Sequence, residues 1–168
     1  VDRLLTLSRA DAGSVSLKRV STELRGLVAE VVDWMRPLAD ERHQTLQVSA
    51  GKEYTAMIDR ALTAQAVLDL LDNAIRYSPE ATTIDIEVVA TIRGAEIRIS
   101  DRGPGLPSDQ CEAAFERFWR ADSARARDGV GLGLSIVRAL ARAQGGDAWL
   151  APRPGGGLTA TIIVPLAT

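Results

Sequence analysis

Residues 69–79 read DLLDNAIRYSP, a stretch that combines the apolar spacing of a helix with an abrupt end at a proline. The same spacing extends upstream, so residues 60–77 are predicted to form one long helix. Pro79 cannot continue it, because proline lacks a backbone N–H. One broad side of this helix carries Leu62, Gln65, Ala66, Leu70, Asn73, Ala74 and Tyr77. An asparagine on so apolar a side, with Asp69 and Arg76 close by, is a candidate for contact with a polar ligand.

The segments before this helix predict two further helices and two short strands. Residues 1–13 are predicted to be the tail of an amphipathic helix that ends at Gly13, and residues 14–21 an extended connector. Ser21 or Thr22 is expected to cap the next helix, in which Pro37 is expected to produce a kink or an end. The segments QTLQVSA and YTAMID alternate in the way that strands do.

The second half of the chain predicts two hairpins separated by a long loop and a helix. TTIDIEVVATIRGAEIRISD indicates two antiparallel strands, and the final strands are DAWLAP and LTATIIVP. Residues 102–130 form a long connection with a short helix expected around EAAFERFW, and GLGLSIVRALARAQGG is the last helix. This order predicts a two-layer α/β sandwich, with three helices on one face of a mixed sheet.

Composition excludes several classes of protein. The 168 residues suit one domain, and a net charge of −2 gives no basic footprint for nucleic acid. A single cysteine, Cys111, excludes an internal disulfide framework and cysteine-rich zinc sites. No run of eighteen apolar residues is present. The chain opens on Val1 in what reads as the middle of a helix, so we expect it to be a fragment of a longer protein.

Glycines concentrate in the second half, where ten of the fourteen follow position 100. The cluster GVGLG at 129–133 directly precedes a helix, and a helix N-terminus presents free N–H groups to an anion. It is not a Walker A loop, because no GK[ST] follows, and its spacing differs from the Rossmann fingerprint. Simple turns remain the favoured interpretation for the glycines at 145–146 and 155–157.

Asp101 ends a strand and opens the turn DRGPG. It could be an ordinary turn former, or a buried carboxylate that accepts from the amino group of adenine. The amide oxygen of Asn73 suits Mg²⁺, which takes the rest of its ligands from phosphates and water, although Asn73 could instead bond its own backbone. Arg76 can reach a phosphate, and Tyr77 offers a ring to the nucleotide. The ordered series of these features favours a nucleotide site.

The series resembles the catalytic and ATP-binding domain of sensor histidine kinases, within the GHKL (HATPase_c) superfamily. DLLDNAIRYSP resembles the N box, DRGPG the first glycine box, FERFWR the F box, and GVGLGLSIV the second glycine box. GGGLTATIIVP resembles the final box, and VDRLLTLSRADAG the end of the helical dimerisation and phosphotransfer hairpin. The resemblance covers nearly the whole chain, with residues 22–168 as the catalytic domain and an ATP lid at about 106–130.

The resemblance implies a Bergerat-type ATP site with Mg²⁺. Asn73 would hold the metal with Asp69 nearby, Arg76 would touch phosphate, and Asp101 would bind the adenine amino group. Phe115 and Phe118 would anchor the lid, and Arg117 and Arg120 are further candidates for phosphate, with solvation as the default. The remaining expected nucleotide contacts are Tyr77, Gly103, Gly105, Phe118, Gly129, Val130, Gly131, Leu132, Gly133 and Leu134.

Two departures from the family pattern affect the expected activity. The only histidine, His43, matches no phosphoacceptor box, so the chain is expected to bind ATP without phosphorylating itself. Asp69 stands where many such kinases carry asparagine, and gyrase-type ATPases and anti-sigma serine kinases place a general base four residues before the metal-binding Asn. Asp69 is therefore either a water-mediated metal ligand, which we favour, or a base for slow hydrolysis. A catalytically inactive, nucleotide-binding regulatory module is a further alternative.

The resemblance also implies partners and a location. The partners would be the phosphotransfer hairpin of the parent protein and a cognate response regulator of a two-component system. The fragment would be a cytoplasmic domain, and the parent a homodimer anchored in the bacterial cell membrane.

Overall fold

The computed structural model describes residues 5, 8–10, 12–121 and 133–167. The helices and strands of this part of the chain follow one another in an α/β order. They are β1 (Arg19–Glu23), α1 (Leu24–Glu41), β2 (Thr45–Val48), β3 (Thr55–Asp59), α2 (Arg60–Tyr77), β4 (Thr83–Thr91), β5 (Gly94–Ser100), α3 (Gly133–Ala143), β6 (Asp147–Pro152) and β7 (Leu158–Val164).

The main sheet has five strands in the order β2-β4-β5-β7-β6. β2 pairs with β4 in parallel, and the other three pairings are antiparallel. Alternate residues of β4, including Ile84 and Ile86, are fully buried beneath the helices, because successive side chains of a strand point to opposite faces. The predicted two-layer sandwich, with helices on one face of a mixed sheet, is confirmed.

Helix α2 occupies the middle of the helical layer, where it packs against both α1 and α3 and contacts β5. Val67, Leu71 and Ile75 on its core side are fully buried. The helix starts at a side-chain cap, since Asp59 Oδ1 accepts from Leu62 N at 3.1 Å. The other oxygen of the same carboxylate accepts from the backbone N–H of Lys18 at 2.9 Å, so the approach to β1 is joined to the first turn of α2.

A second, two-stranded sheet pairs β1 with β3 in antiparallel register, from Arg19 opposite Asp59 to Glu23 opposite Thr55. The sequence suggested only an extended connector here, with Ser21 or Thr22 as the cap of α1. That expected cap is wrong: both residues belong to β1, α1 begins at Leu24, and Glu23 before it makes no side-chain cap hydrogen bond. Instead, Leu24 N donates to the carbonyl oxygen of Tyr54 at 2.9 Å.

The structure defines where the helices near Pro37 and around EAAFERFW end. Helix α1 continues through Pro37 to Glu41, so the proline does not end it. The short helix expected around EAAFERFW is present, but only as a 3-10 helix at Ala113–Phe115, preceded by another at Ser108–Gln110. Helical geometry stops at Glu116, whose backbone is extended, and Phe118 has a φ of 62°. A left-handed residue cannot lie inside an α-helix. Helix α3 ends before Gly145 and Gly146, as predicted.

Candidate functional site

The last turns of α2 carry three of the predicted site residues. Asn73 and Tyr77 are half-buried and four residues apart, so they share one side of the helix. Arg76 lies on the exposed side, where its Nε is 2.9 Å from Asp72 Oδ2. This end of the helix thus presents an amide, an aromatic ring and a cation within five residues.

Asp69 lies one turn earlier, and only 4% of its surface is exposed. Its Oδ1 accepts from Gln65 Nε2 at 3.1 Å. The carboxylate and Asn73 are four residues apart and therefore face the same direction along α2. Asp69 is held inside the helical layer by this bond.

Asp101 follows β5 directly and is only 8% exposed. Its Oδ1 accepts from Gly103 N at 2.8 Å and from Leu158 N at 3.2 Å. Burial raises the pKa of this carboxyl above its ordinary value, and the two N–H groups and the charge of Arg153 oppose that rise. The Asp101 carboxylate is therefore a buried acceptor fixed at the start of the 101–105 turn.

Gly103 and Gly105 allow this turn to approach its neighbours more closely than any side chain would. A Cβ on Gly103 would lie 2.7 Å from the carbonyl oxygen of Tyr77, a distance that real Cβ atoms do not tolerate. Gly105 has a φ of 68°, and a Cβ there would lie 2.7 Å from the carbonyl oxygen of Gly157. The turn is thereby packed between the end of α2 and the start of β7, with the backbone of Tyr77 against Gly103.

Arg153 binds the backbone at the start of the same turn. Sequence analysis did not predict this contact. Its Nη1 donates to the carbonyl oxygens of Ser100 (3.2 Å) and Asp101 (3.1 Å), and its Nη2 pairs with Asp85. In the sequence, Arg153 belongs to a PRPGGG turn with no visible connection to residue 101. Only the pairing of β7 with β5 brings the two turns together.

The start of the predicted lid is fixed to α3 by Phe115 and Arg138. Phe115 is buried, and Arg138 Cζ lies 3.8 Å from the centre of its ring. Arg138 also forms a two-pronged ion pair with Glu112 and donates to the carbonyl oxygen of Ala148 through Nε (3.1 Å) and Nη2 (2.9 Å). Phe115 thus lies in the core, whereas Phe118 is 62% exposed on the surface.

The second glycine box lies only partly within the described residues. Gly129, Val130, Gly131 and Leu132 lie outside the described residues. Gly133 and Leu134 form the first turn of α3 and are half-buried, and a Cβ on Gly133 would meet open space. Of the other predicted contacts, Arg117 is exposed and Arg120 is half-buried.

Two other sequence interpretations concern metal ligands and the lone histidine. Among the described residues, no group of three or more His, Cys, Asp or Glu side chains lies close enough to hold a metal ion. His43 lies at the junction between α1 and β2, as expected.

Comparison with known proteins agrees with this geometry. Residues 58–168 match the family described as histidine kinase-, DNA gyrase B-, and HSP90-like ATPase (HATPase_c). The sensor-like histidine kinase SenX3 of Mycolicibacterium smegmatis is 34% identical over 167 residues, which are 98% of this chain and 44% of SenX3. The sensor histidine kinase HprS of Escherichia coli is 35% identical over 147 residues, covering 88% of this chain and 32% of HprS. The crystal structure of full-length ShkA in complex with AMPPNP superposes with a TM-score of 0.86 at 28% identity, covering 99% of this chain and 35% of ShkA.

Fold and relatives together define an ATP-binding catalytic domain of the histidine kinase class. The chain belongs to the HATPase_c family of histidine kinase-, DNA gyrase B- and HSP90-like ATPases. It spans less than half the length of the SenX3 and HprS relatives. In the part of the chain that the structure describes, no helix combines the length and hydropathy that crossing a membrane requires.

Proposed function

We propose that the chain binds ATP between the end of α2 and the 101–105 turn, with Asp101 reading the adenine. The observation that carries this proposal is the buried Asp101 carboxylate, whose two backbone hydrogen bonds both fall on Oδ1. Oδ2 would accept from the adenine amino group, which guanine lacks at that ring position. Tyr77 would lie against the nucleotide. The AMPPNP complex of ShkA supports an adenine nucleotide as the ligand.

The phosphates would extend from the base toward Asn73 and Arg76. Asn73 would hold Mg²⁺, which neutralises phosphate charge during phosphoryl transfer. Asp69, buried and fixed by Gln65, would orient a water of the metal from its place one turn earlier. The first turn of α3, with Gly133 and Leu134, would face the phosphates together with Gly129, Val130, Gly131 and Leu132. Phe118 would contact the nucleotide from the lid.

The reaction that follows is transfer of the γ-phosphoryl group to a histidine. The chain's one histidine lies at a helix–strand junction, so the acceptor would come from a helical hairpin of the parent protein. The phosphoryl group would then pass to an aspartate of a response regulator. The names of the relatives as sensor histidine kinases support a response regulator as partner. The proposal also places this domain in the cytoplasm, as part of a homodimeric parent anchored in the membrane.

The first test combines binding with phosphoryl transfer. Calorimetry is expected to detect binding of ATP and ADP in the presence of Mg²⁺, with GTP bound at least about tenfold more weakly because Asp101 would meet no amino group. A separately produced helical hairpin with an acceptor histidine, mixed with the chain and Mg-ATP, is expected to acquire acid-labile phosphate.

Asn73→Ala is expected to abolish the phosphorylation, whereas Gln47→Ala, which removes an exposed amide from β2, leaves it unchanged. Binding of neither ATP nor ADP at millimolar concentration, or equal binding of GTP, would contradict the proposal.

A further inference from the structure

The C-terminal end of α2 leaves a backbone carbonyl that the helix itself cannot satisfy. The last carbonyl groups of any helix lack N–H partners four residues on. For the carbonyl of Ile75 that partner would be residue 79, which is a proline without an N–H. The helix closes one residue earlier, where Ser78 N donates to the carbonyl oxygen of Ala74 at 3.0 Å.

Gln44 supplies the missing donor from a distant part of the chain. Its side-chain Nε2 lies 3.0 Å from the carbonyl oxygen of Ile75, 3.1 Å from that of Ser78 and 3.2 Å from that of Pro79. Gln44 is only 4% exposed, so its amide group contacts three carbonyls where water cannot replace it.

The turn between α1 and β2 directs the Gln44 side chain toward these carbonyl groups. His43 has a φ of 54°, and Gln44 N donates to the carbonyl oxygen of Ala39 at 2.9 Å. The neighbouring Arg42 reinforces the contact, since its Nη2 donates to the carbonyl oxygen of Ser78 at 3.0 Å. Two side chains from one turn therefore hold the segment that ends α2.

The held segment forms one wall of the turn that carries Asp101. Ser78 is 1% exposed, and its hydroxyl oxygen accepts from Arg102 N at 3.4 Å. The carbonyl oxygen of Tyr77 lies so close to Gly103 that no side chain fits between them. A shift of the 77–79 segment would therefore move the 101–105 turn with it.

We infer that Gln44 is a positioning residue for the adenine end of the site, acting through Tyr77 and Ser78 on the 101–105 turn. The inference rests on the proposed function, because it assigns the base to that turn. Gln44 contacts the helix after Asn73, so its influence falls on recognition of the base and not on the metal.

The test compares Gln44→Met with Gln47→Met. Methionine has nearly the length of glutamine but cannot donate, and Gln47 is an exposed glutamine of the same strand region. Dissociation constants for ADP are measured by calorimetry with and without Mg²⁺, at a temperature where circular dichroism shows each variant folded. Gln44→Met is expected to raise the dissociation constant for ADP about tenfold, equally with and without Mg²⁺. The dissociation constant of Gln47→Met is expected to stay within about twofold of the wild-type value.

A merely structural role for Gln44 would lower the unfolding temperature and leave the affinity of the folded protein unchanged. ADP binding by Gln44→Met equal to that of Gln47→Met would therefore overturn the inference, as would a loss that appears only with Mg²⁺. Failure of the wild-type protein to bind ADP would instead overturn the proposed function.

Ser78→Ala provides a second variant in case Gln44→Met does not fold. It removes only the hydroxyl that accepts from Arg102 N, at the far side of the same chain of contacts. We expect ADP to bind about threefold more weakly, again by the same factor with and without Mg²⁺. An unchanged affinity in Ser78→Ala would count against the inference.

Discussion

At the scale of single residues, the buried carboxylate of Asp101 is stabilised mainly by backbone N–H groups, with a smaller contribution from the charge of Arg153. The N–H groups of Gly103 and Leu158 both donate to one of its oxygens, and burial nevertheless raises its pKa. A raised pKa means that the folded state binds a proton more tightly than the unfolded chain does. The charged form therefore opposes folding at neutral pH, and this cost disappears as the pH falls through the raised pKa.

Replacement of Asp101 by Asn separates stability from recognition. The amide oxygen of Asn can still accept from both N–H groups, and the buried charge is removed. The midpoint of thermal unfolding at pH 7 is therefore expected to stay the same or rise, while ADP binding, measured by calorimetry, weakens at least about tenfold. A clear fall in the unfolding midpoint would show that the charge itself stabilises the fold.

At the scale of elements, Arg138 joins three parts of the fold. Its guanidinium contacts the Phe115 ring at the start of the lid, the Glu112 carboxylate and the Ala148 carbonyl of β6. Glu112 is largely exposed, and exposed ion pairs contribute little. The ring and carbonyl contacts are the buried ones, so they carry most of the energy.

Arg138→Met is expected to reduce the free energy of unfolding by about 1–3 kcal/mol, because the Ala148 carbonyl loses its donors and the ring loses its cation. The free energy of unfolding of Arg138→Lys should lie between those of the wild-type protein and Arg138→Met, since an ammonium group keeps the charge but cannot reproduce the planar guanidinium group. Denaturant unfolding measures all three proteins. The control is Glu112→Ala, expected to cost no more than about 0.5 kcal/mol. An equal loss in Glu112→Ala and Arg138→Met would contradict this assignment.

The elements that could be predicted are those whose formation is determined by residues close together in the sequence. The bounds of α2 agree with residues 60–77, because the apolar spacing and Pro79 both lie within the helix region. The pairing of β1 with β3 was not predicted, since a strand pattern does not name its partner. The short helix expected around EAAFERFW is limited to Ala113–Phe115, because the left-handed backbone at Phe118, which follows it, leaves no mark on apolar spacing.

The site residues divide in the same way, between those indicated by the local sequence and those that act over long sequence distances. The types and order of the residues pointed to Asn73 and Asp101 as ligand groups, and their nucleotide roles stay predictions. Gln44 and Arg153 were missed, because each acts on residues 31 or more positions away. Pro79 signalled that the carbonyl of Ile75 needs an outside donor, but nothing in the sequence identifies which side chain supplies it.

At the scale of the whole molecule, a buried glutamine holds each end of α2. Gln44 contacts the last turn, and Gln144 contacts the first. Gln144 is 1% exposed, its Oε1 accepts from Asp59 N at 2.7 Å, and its Nε2 donates to the Thr63 hydroxyl at 3.0 Å. These bonds join the end of α3 to the start of α2, and only the Gln44 end lies near the proposed adenine site.

Gln144→Leu is expected to reduce the free energy of unfolding by about 2 kcal/mol, because Asp59 N and the Thr63 hydroxyl lose buried partners. ADP affinity of the folded variant should not change, in contrast to Gln44→Met. Denaturant unfolding and calorimetry measure the two quantities, with Gln110→Leu, an exposed position, as the control. A weaker ADP affinity in Gln144→Leu would show that the two ends of α2 are not independent.

The Asp59 carboxylate has a mechanical consequence. One of its oxygens accepts from Lys18 N, and the other accepts from the first turn of α2. With 18 residues, α2 is a rod about 27 Å long. Tension on the backbone ahead of Lys18 would therefore act on the start of this helix, at the end opposite Asn73 and Tyr77.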